Sequence, residues 1–234
     1  MADTLLHLNN SQSQTILWLL EELGVPYNIK PLARVRSGMR QGRAPENLRE
    51  THPLGKSPQL ITPEGRVLVE RSAITMYLVN RYDEGRQFQI HPDQQDPTND
   101  ELREQMLIGF ADASFSSIVI MTMMLHWTAK LSPFFVRPMA AGIESVLTKG
   151  YLGEEMVIHF KYINNELEAR NYFMGQQNPT RVDFIMLWYV HLVTKTGVVD
   201  LAPYLNLRNW VARCEDRPAW KRALEKGNEY VMRI

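Results

Sequence analysis

Asn10-Ser11-Gln12-Ser13-Gln14-Thr15-Ile16-Leu17-Trp18-Leu19-Leu20-Glu21-Glu22-Leu23-Gly24 is the stretch on which the fold turns. Ile16, Leu17, Leu19, Leu20 and Leu23 recur at helical spacing and form an apolar side, which leaves Glu21 and Glu22 to water. Gly24 ends the helix, because glycine takes the left-handed conformation of a helix terminus without a side-chain clash. Upstream, Thr4 to Leu8 is a short, mostly apolar run that fits a buried strand, and Asn9-Asn10-Ser11 supply turn chemistry. Ser11 therefore stands where a buried strand becomes a helix.

Working outward, Tyr27 to Leu32 reads as a second strand, with Pro26 and Pro31 placing it at a sheet edge. Arg34 to Gly42 is polar and glycine-containing and reads as a mobile loop; Arg34, Arg36, Arg40 and Arg43 form a basic patch there, best read as solvated. Pro45 to Glu50 is a short helix candidate. Pro58–Thr62 and Val67–Val69 flank the turn Pro63-Glu64-Gly65-Arg66, an antiparallel hairpin signature. Ser72 to Tyr82 follows as a helix. The order is β-α-β-(α)-β-β-α over residues 1–83. Asp83 to Asn99, with Gly85, Pro92 and Pro97, is a linker, given as residues 84–99. Beyond it only helices are expected: Glu101–Leu131, Pro138–Leu147, Glu154–Asn171, Val182–Thr196, Leu207–Arg213 and Pro218–Tyr230. The fold class is α/β plus all-α, with residues 100–234 forming the helical domain.

Composition bounds the function. The 234 residues carry 26 basic and 26 acidic side chains, a balance unlike that of proteins that neutralise nucleic-acid phosphates. One cysteine, Cys214, rules out an internal disulfide and fits a reducing compartment; beside Glu215-Asp216-Arg217-Pro218 it reads as structural. The N-terminus lacks signal-peptide character, and no uninterrupted apolar run reaches the ~18 residues of a membrane span. The six histidines show no metal-ligand spacing, so no metal is expected.

Three places could carry chemistry. At Ser11 a hydroxyl meets the free N–H groups and positive dipole end of a helix, a setting that stabilises an anion. If the anion is a thiolate, lowering its pKa by two units needs about 2.7 kcal/mol. One hydrogen bond to a charged group supplies roughly 1.5–3 kcal/mol. The plainer reading of Ser11 is a helix cap. Ser13 competes with it, either as a first-turn cap or as the ligand contact. Lys56-Ser57-Pro58 opens a strand with an X-Pro bond, where cis peptides occur; a cis bond would present the Ser57 backbone to a peptide-like ligand. Glu70-Arg71-Ser72 offers a carboxylate for an ammonium group, with Arg71 or the helix N–H groups for a carboxylate. Its alternative is a capping segment with a surface ion pair.

Taken together and in order, these motifs resemble the cytosolic glutathione transferases of the serine-containing fungal and bacterial type. Pro53-Leu54-Gly55-Lys56-Ser57-Pro58 is similar to the family's hairpin entry, and Glu70, Ala73, Ile74, Tyr77 and Leu78 to its Glu-Ser-x-Ala-Ile step. Thr180-Arg181-Val182-Asp183 is similar to its late capping box. The resemblance implies a thioredoxin-like domain that binds glutathione as co-substrate, a helical domain, a cytoplasmic homodimer, and no nucleic-acid or membrane partner. It implies that Ser11 holds the glutathione sulfur. Ser57 beside a cis Pro58 pairs with the cysteinyl backbone, Glu70 and Arg71 grip the γ-glutamyl end, and Lys56 reaches the glycyl carboxylate; Ser13 is the further candidate contact.

Three departures stand out. Arg71 replaces the family's usual serine, and Gln12 and Thr15 replace arginines. They point to a specialised enzyme, or to one that dispenses with glutathione. Aromatics and methionines on the long helix, Phe110, Phe115, Met121 and Met124, are candidates for an apolar substrate pocket, with helix core as their alternative. The expected activity is addition of the glutathione thiol to an apolar electrophile. A glutathione-dependent isomerase or lyase, and a binding protein without glutathione, are the alternatives.

Overall fold

The computed structural model describes residues 2–37, 42–91 and 98–232. Its first part contains β1 (Asp3–Leu8), α1 (Ser13–Leu23), β2 (Tyr27–Leu32), α2 (Leu48–Thr51), β3 (Gln59–Ile61), β4 (Val67–Leu68) and α3 (Arg71–Tyr82). The sheet order is β2-β1-β3-β4. β1 and β2 run parallel, Leu5 opposite Ile29. β3 is antiparallel to β1, Leu5 opposite Leu60, and β4 antiparallel to β3, Leu60 opposite Leu68. This is the expected thioredoxin-like arrangement. β2 lies at an edge, where a proline's missing N–H disturbs the ladder least.

α1 ends at Gly24, whose φ of 64° is the left-handed terminus that glycine permits. Its apolar residues Ile16 to Leu20 are fully buried. Glu21 and Glu22 are not left to water, contrary to the sequence reading. Glu21 is 5% exposed and takes Arg222 at 2.8 Å, Lys226 at 2.5 Å and the Tyr27 hydroxyl. Glu22 accepts from Trp18 Nε1 at 2.7 Å and pairs with Arg217. The three cations, Arg222 and Lys226 on the last helix and Arg217 just before it, cover what would otherwise be the wet face of α1.

The second part holds α4 (Glu101–Gly109), α5 (Ser116–Leu131), α6 (Arg137–Leu147), α7 (Gly153–Glu166), α8 (Arg181–Lys195), α9 (Leu205–Asp216) and α10 (Pro218–Lys226). α4 and α5 form one helical run through a π-helical turn at Phe110–Phe115, and α6 and α7 another through Thr148–Leu152. A π turn carries an extra residue, so it rotates every side chain beyond it relative to an ideal helix. The run Glu101–Leu131 is long and apolar enough to cross a membrane, which the uninterrupted apolar stretches did not suggest. Its inner face, including Leu107, Ile108, Ala111, Phe115, Val119 and Met123, joins the protein core.

α8 is the central helix: every residue from Val182 to Val193 is buried. Its capping box is formed as expected, the Thr180 N–H donating to Asp183 Oδ2 at 2.8 Å. Asp183 also accepts from Trp210 Nε1 at 2.7 Å and the Phe173 N–H at 3.2 Å, yet burial pushes its carboxyl up to about 6. Trp18 of α1 packs edge-on against Phe184 of α8 (4.5 Å) and Trp220 of α10 (5.6 Å), so the α/β and helical parts share one apolar core. Cys214 lies in that core, its thiol pushed up by burial, which makes it structural.

Candidate active site

Three sequence-distant signals meet at one end of the sheet. β1 ends at Leu8, the chain turns through Asn9 and Asn10, and Ser11 precedes α1. The β1–β3 register, in which Leu6 faces Gln59, carries the end of β1 towards Ser57. The β3–β4 register, in which Leu60 faces Leu68, carries Glu70 towards Pro58 when continued by two residues.

Ser11 is buried. Its hydroxyl donates to Leu8 O at 2.7 Å, accepts from the Ser13 N–H at 3.2 Å, and lies 2.8 Å from Ser13 Oγ and 3.4 Å from Ser57 Oγ. Gln12 makes no capping bond at the start of α1, and Ser11 itself accepts the N–H of Ser13, the first helical residue, so the dipole end of α1 lies beside these hydroxyls. Ser13, the competing hydroxyl, is fully buried. It accepts from the Leu8 N–H at 3.1 Å and lies 3.0 Å from His7 Nδ1 and 3.1 Å from Leu8 O. Its position beneath Ser11 replaces the expectation that it touches the ligand: its oxygen is occupied by protein groups on the inner side.

The loop ahead of Ser11 is braced. Arg34 donates to Asn10 O at 2.9 Å and to Gly42 O at 2.8 Å, so this arginine is no part of a solvated patch. Arg36 and Arg43 are exposed, and Arg40 lies outside the described residues. Asn10 Oδ1 accepts the Val231 N–H at 2.7 Å and the Met232 N–H at 3.0 Å, tying down the tail that follows α10.

The Ser57–Pro58 peptide is cis. Gly55 before it has φ of 56°, and a Cβ there would stand 2.5 Å from Arg49 Cγ, so this turn requires glycine. Lys56 is exposed and Ser57 half-buried. Glu70 has its side chain exposed and its backbone at φ 65°, ψ 124°, a conformation costing a non-glycine residue of order 1–3 kcal/mol. No side chain caps α3, so its first N–H groups stay available beside Glu70.

Arg71 is a correction. Its side chain is 1% exposed, donates to Ile185 O at 2.6 Å and to Asp112 Oδ1 at 3.0 Å, and lies over the Tyr189 ring at 4.6 Å. A guanidinium spent on the helical part cannot also grip a γ-glutamyl carboxylate. Asp112, which receives it, sits in the π turn of the long helix and also accepts from the Tyr189 hydroxyl at 3.2 Å.

The candidate pocket residues differ in burial. Phe115 is fully buried and packs on Phe160 and Tyr189. Phe110 stacks on Phe115 and His159. Met121 and Met124 are exposed. A cavity of about 230 Å³ lies further along α5, lined by His126, Trp127, Lys130, Leu131, Lys195, Thr196 and Met232. Met232 is bonded through its N–H to Asn10, so one wall of that cavity abuts the residue preceding Ser11. Among the described residues no group of three or more His, Cys, Asp or Glu could hold a metal ion.

Comparisons of sequence and of structure give the family. Residues 11–81 match the glutathione S-transferase N-terminal domain model. Glutathione S-transferase 3 of Schizosaccharomyces pombe is 33% identical over 228 residues, covering 97% of this chain and 89% of that one. A glutathione S-transferase structure from Actinobacillus pleuropneumoniae superposes with a TM-score of 0.73 at 26% identity, covering 98% and 94% of the two chains. A glutathione transferase homologue from Lodderomyces elongisporus, crystallised with two GSH per subunit, gives a TM-score of 0.71 at 16% identity, covering 96% and 98%. The chain belongs to the glutathione S-transferase family and is a glutathione transferase-like enzyme.

Proposed function

We propose that this is a serine-type glutathione transferase that holds the thiolate of glutathione against Ser11 and adds it to an electrophile. The observation that carries this reading is the meeting of the Ser11 and Ser57 hydroxyls at the N-terminus of α1. On this reading the sulfur accepts from Ser11 Oγ, Ser57 pairs with the cysteinyl backbone, and Lys56 reaches the glycyl carboxylate. Glu70 takes the γ-glutamyl ammonium, while the free N–H groups of α3 take the carboxylate that Arg71 does not. The bound glutathione of the Lodderomyces homologue supports this use of the fold.

The electrophile enters the cavity beside Met232, whose apolar walls are Trp127, Leu131 and Met232. Thiolate formation and proximity supply the catalysis: the enzyme raises the fraction of nucleophile and fixes it near the acceptor. Two copies pair through the exposed Met76 of α3 and Leu102 and Met106 of α4, in a cytoplasmic homodimer. Calorimetry with glutathione, followed by a thiol-consumption assay with a generic aryl halide, tests the reading. Millimolar or tighter binding and a Ser11-dependent rate are expected. Undetectable binding, or full activity in Ser11→Ala, would reject it, and recovery of unchanged glutathione after turnover would redirect it to isomerase chemistry.

A further inference from the structure

We infer that the cavity beside Met232 selects electrophiles that join a flat apolar ring to an anionic group, the ring lying against Trp127 and the anion meeting the Lys130 ammonium. This rests on the reading, given above, that the electrophile enters that cavity, and adds the class of compound that fits it.

The lining is of two kinds. Trp127 and Met232 are apolar, Lys130, Lys195 and His126 are basic, and no carboxylate stands among the lining residues. A volume of about 230 Å³ falls below the roughly 300–1,000 Å³ of pockets for drug-sized ligands, which limits the occupant to about one substituted ring. The half-buried Trp127 indole suits such a ring, because aromatic groups pack in offset or edge-on contact.

Ion pairing separates the three basic side chains. Lys195 Nζ lies 2.7 Å from Glu215 Oε1, and the same oxygen is 3.3 Å from His191 Nε2. Hydrogen bonds from His191 and Lys195 hold the Glu215 carboxyl down to about 2, so it stays ionised and cancels the Lys195 charge. His126 Nδ1 is 3.3 Å from Glu144 Oε1 on α6, so a carboxylate engages this ring too. Lys130 differs from both. It is exposed and has no carboxylate partner among the described residues, and the chain from Ala113 to Ile143 contains no aspartate or glutamate. Its plain role is in the last turn of α5, where a cation offsets the negative end of the helix dipole. That end is equivalent to about half an elementary charge, which leaves Lys130 partly uncompensated on the wall of a cavity without an acid. A neutral ring gains only the apolar wall, whereas an anionic one gains the ammonium as well. Because Lys130 is exposed, solvent screens the attraction to about a two- to fivefold preference.

Two aryl halides that differ in one group test this: a chlorodinitrobenzoate and the corresponding benzamide, which is uncharged and of nearly the same size. In both, the glutathione sulfur bonds to the ring carbon and chloride leaves with the electron pair of the C–Cl bond, so one assay reads both. The quantity compared is the benzoate-to-benzamide ratio of kcat/KM, each corrected for its uncatalysed rate. Lys130→Met is expected to lower the ratio about two- to fivefold, through KM for the benzoate. Lys130→Glu removes the attraction and adds a repulsion of similar size, so about a tenfold fall is expected. Lys130→Arg is expected to keep the wild-type ratio, and added salt to lower the wild-type ratio towards that of Lys130→Met. A wild-type ratio in Lys130→Met and Lys130→Glu overturns the inference, as does Lys130→Arg behaving like Lys130→Met. If both compounds are consumed in a Ser11-dependent way while the ratio ignores residue 130, only this inference fails. If neither is consumed, or Ser11→Ala keeps full activity, the transferase reading fails and the inference with it.

Discussion

Ser11 Oγ and Ser57 Oγ lie 3.4 Å apart although 46 residues separate them in the chain. The sheet makes that contact: β1 and β3 are antiparallel neighbours, so the turn that leaves β1 and the turn that enters β3 face each other at one edge. A hydroxyl at the start of α1 and the start of β3 are thereby held by the same ladder, and under the proposed function a sulfur bound between them would inherit its rigidity.

Arg71 ties α3 to the helical part, and its loss should be felt first in stability. Removing one member of a buried ion pair costs about 3–5 kcal/mol, but Asp112 is a third exposed, which discounts the figure to about 2–3 kcal/mol. Arg71→Ser, although it restores the residue usual in the family, is expected to lower unfolding free energy by that amount in urea. Glutathione affinity should fall with it, because Glu70 is positioned by the start of α3. Wild-type stability in this variant would show that Arg71 is dispensable.

Glu70 should show the opposite pattern. Its left-handed backbone is strained for any residue but glycine. Glu70→Gly relieves that strain and removes the carboxylate, so stability is expected to stay level or rise by up to about 1 kcal/mol. Glutathione binding is expected to weaken at least about tenfold, the worth of one charge-assisted hydrogen bond. Thermal unfolding and calorimetry on the same sample check both halves.

His7 has a signature in acid. Its folded-state value of about 4 lies below the 6.5 of the free side chain. As pH falls through that window the unfolded chain takes up a proton that the folded protein refuses, so stability is lost on acidification, by about 3 kcal/mol in all. Asp183, raised to about 6, works in the opposite sense: it stabilises the folded state in acid and loses that contribution as pH rises from 3.8. The difference between His7→Asn and wild type isolates His7. Relative to its value near neutral pH, that difference should move by about 3 kcal/mol in favour of His7→Asn by about pH 4. A constant difference across the range would place His7 outside the buried network.

The sequence carried much of this fold in local signals. Gly24, the Pro63–Arg66 turn and the Thr180–Asp183 capping box each specify a boundary through chemistry within a few residues, and each appears in the structure. The convergence of Ser11, Ser57 and Glu70 was legible because a familiar order of motifs implied the sheet that joins them. What was not legible depends on distant partners or on phase. The wet face assigned to Glu21 and Glu22 is closed by Arg217, Arg222 and Lys226, about two hundred residues away. Arg71 points at Ile185 and Asp112, which no local pattern links to α3. Phe110 and Phe115 lie in a π turn, where an extra residue breaks the helical spacing used to choose a face. His7 interrupts the apolar end of a buried strand, Leu5-Leu6-His7-Leu8, and its polarity is met by Ser13 on the next helix.

Proton release on glutathione binding tests the central claim most directly. Calorimetry in buffers of different ionisation enthalpy counts the protons. A free thiol of pKa ~8.5 lowered by two units in the site should release about 0.7 proton near neutral pH, and Ser11→Ala should release close to none. Binding by the wild type without proton release, or equal release in both proteins, would contradict thiolate stabilisation by Ser11.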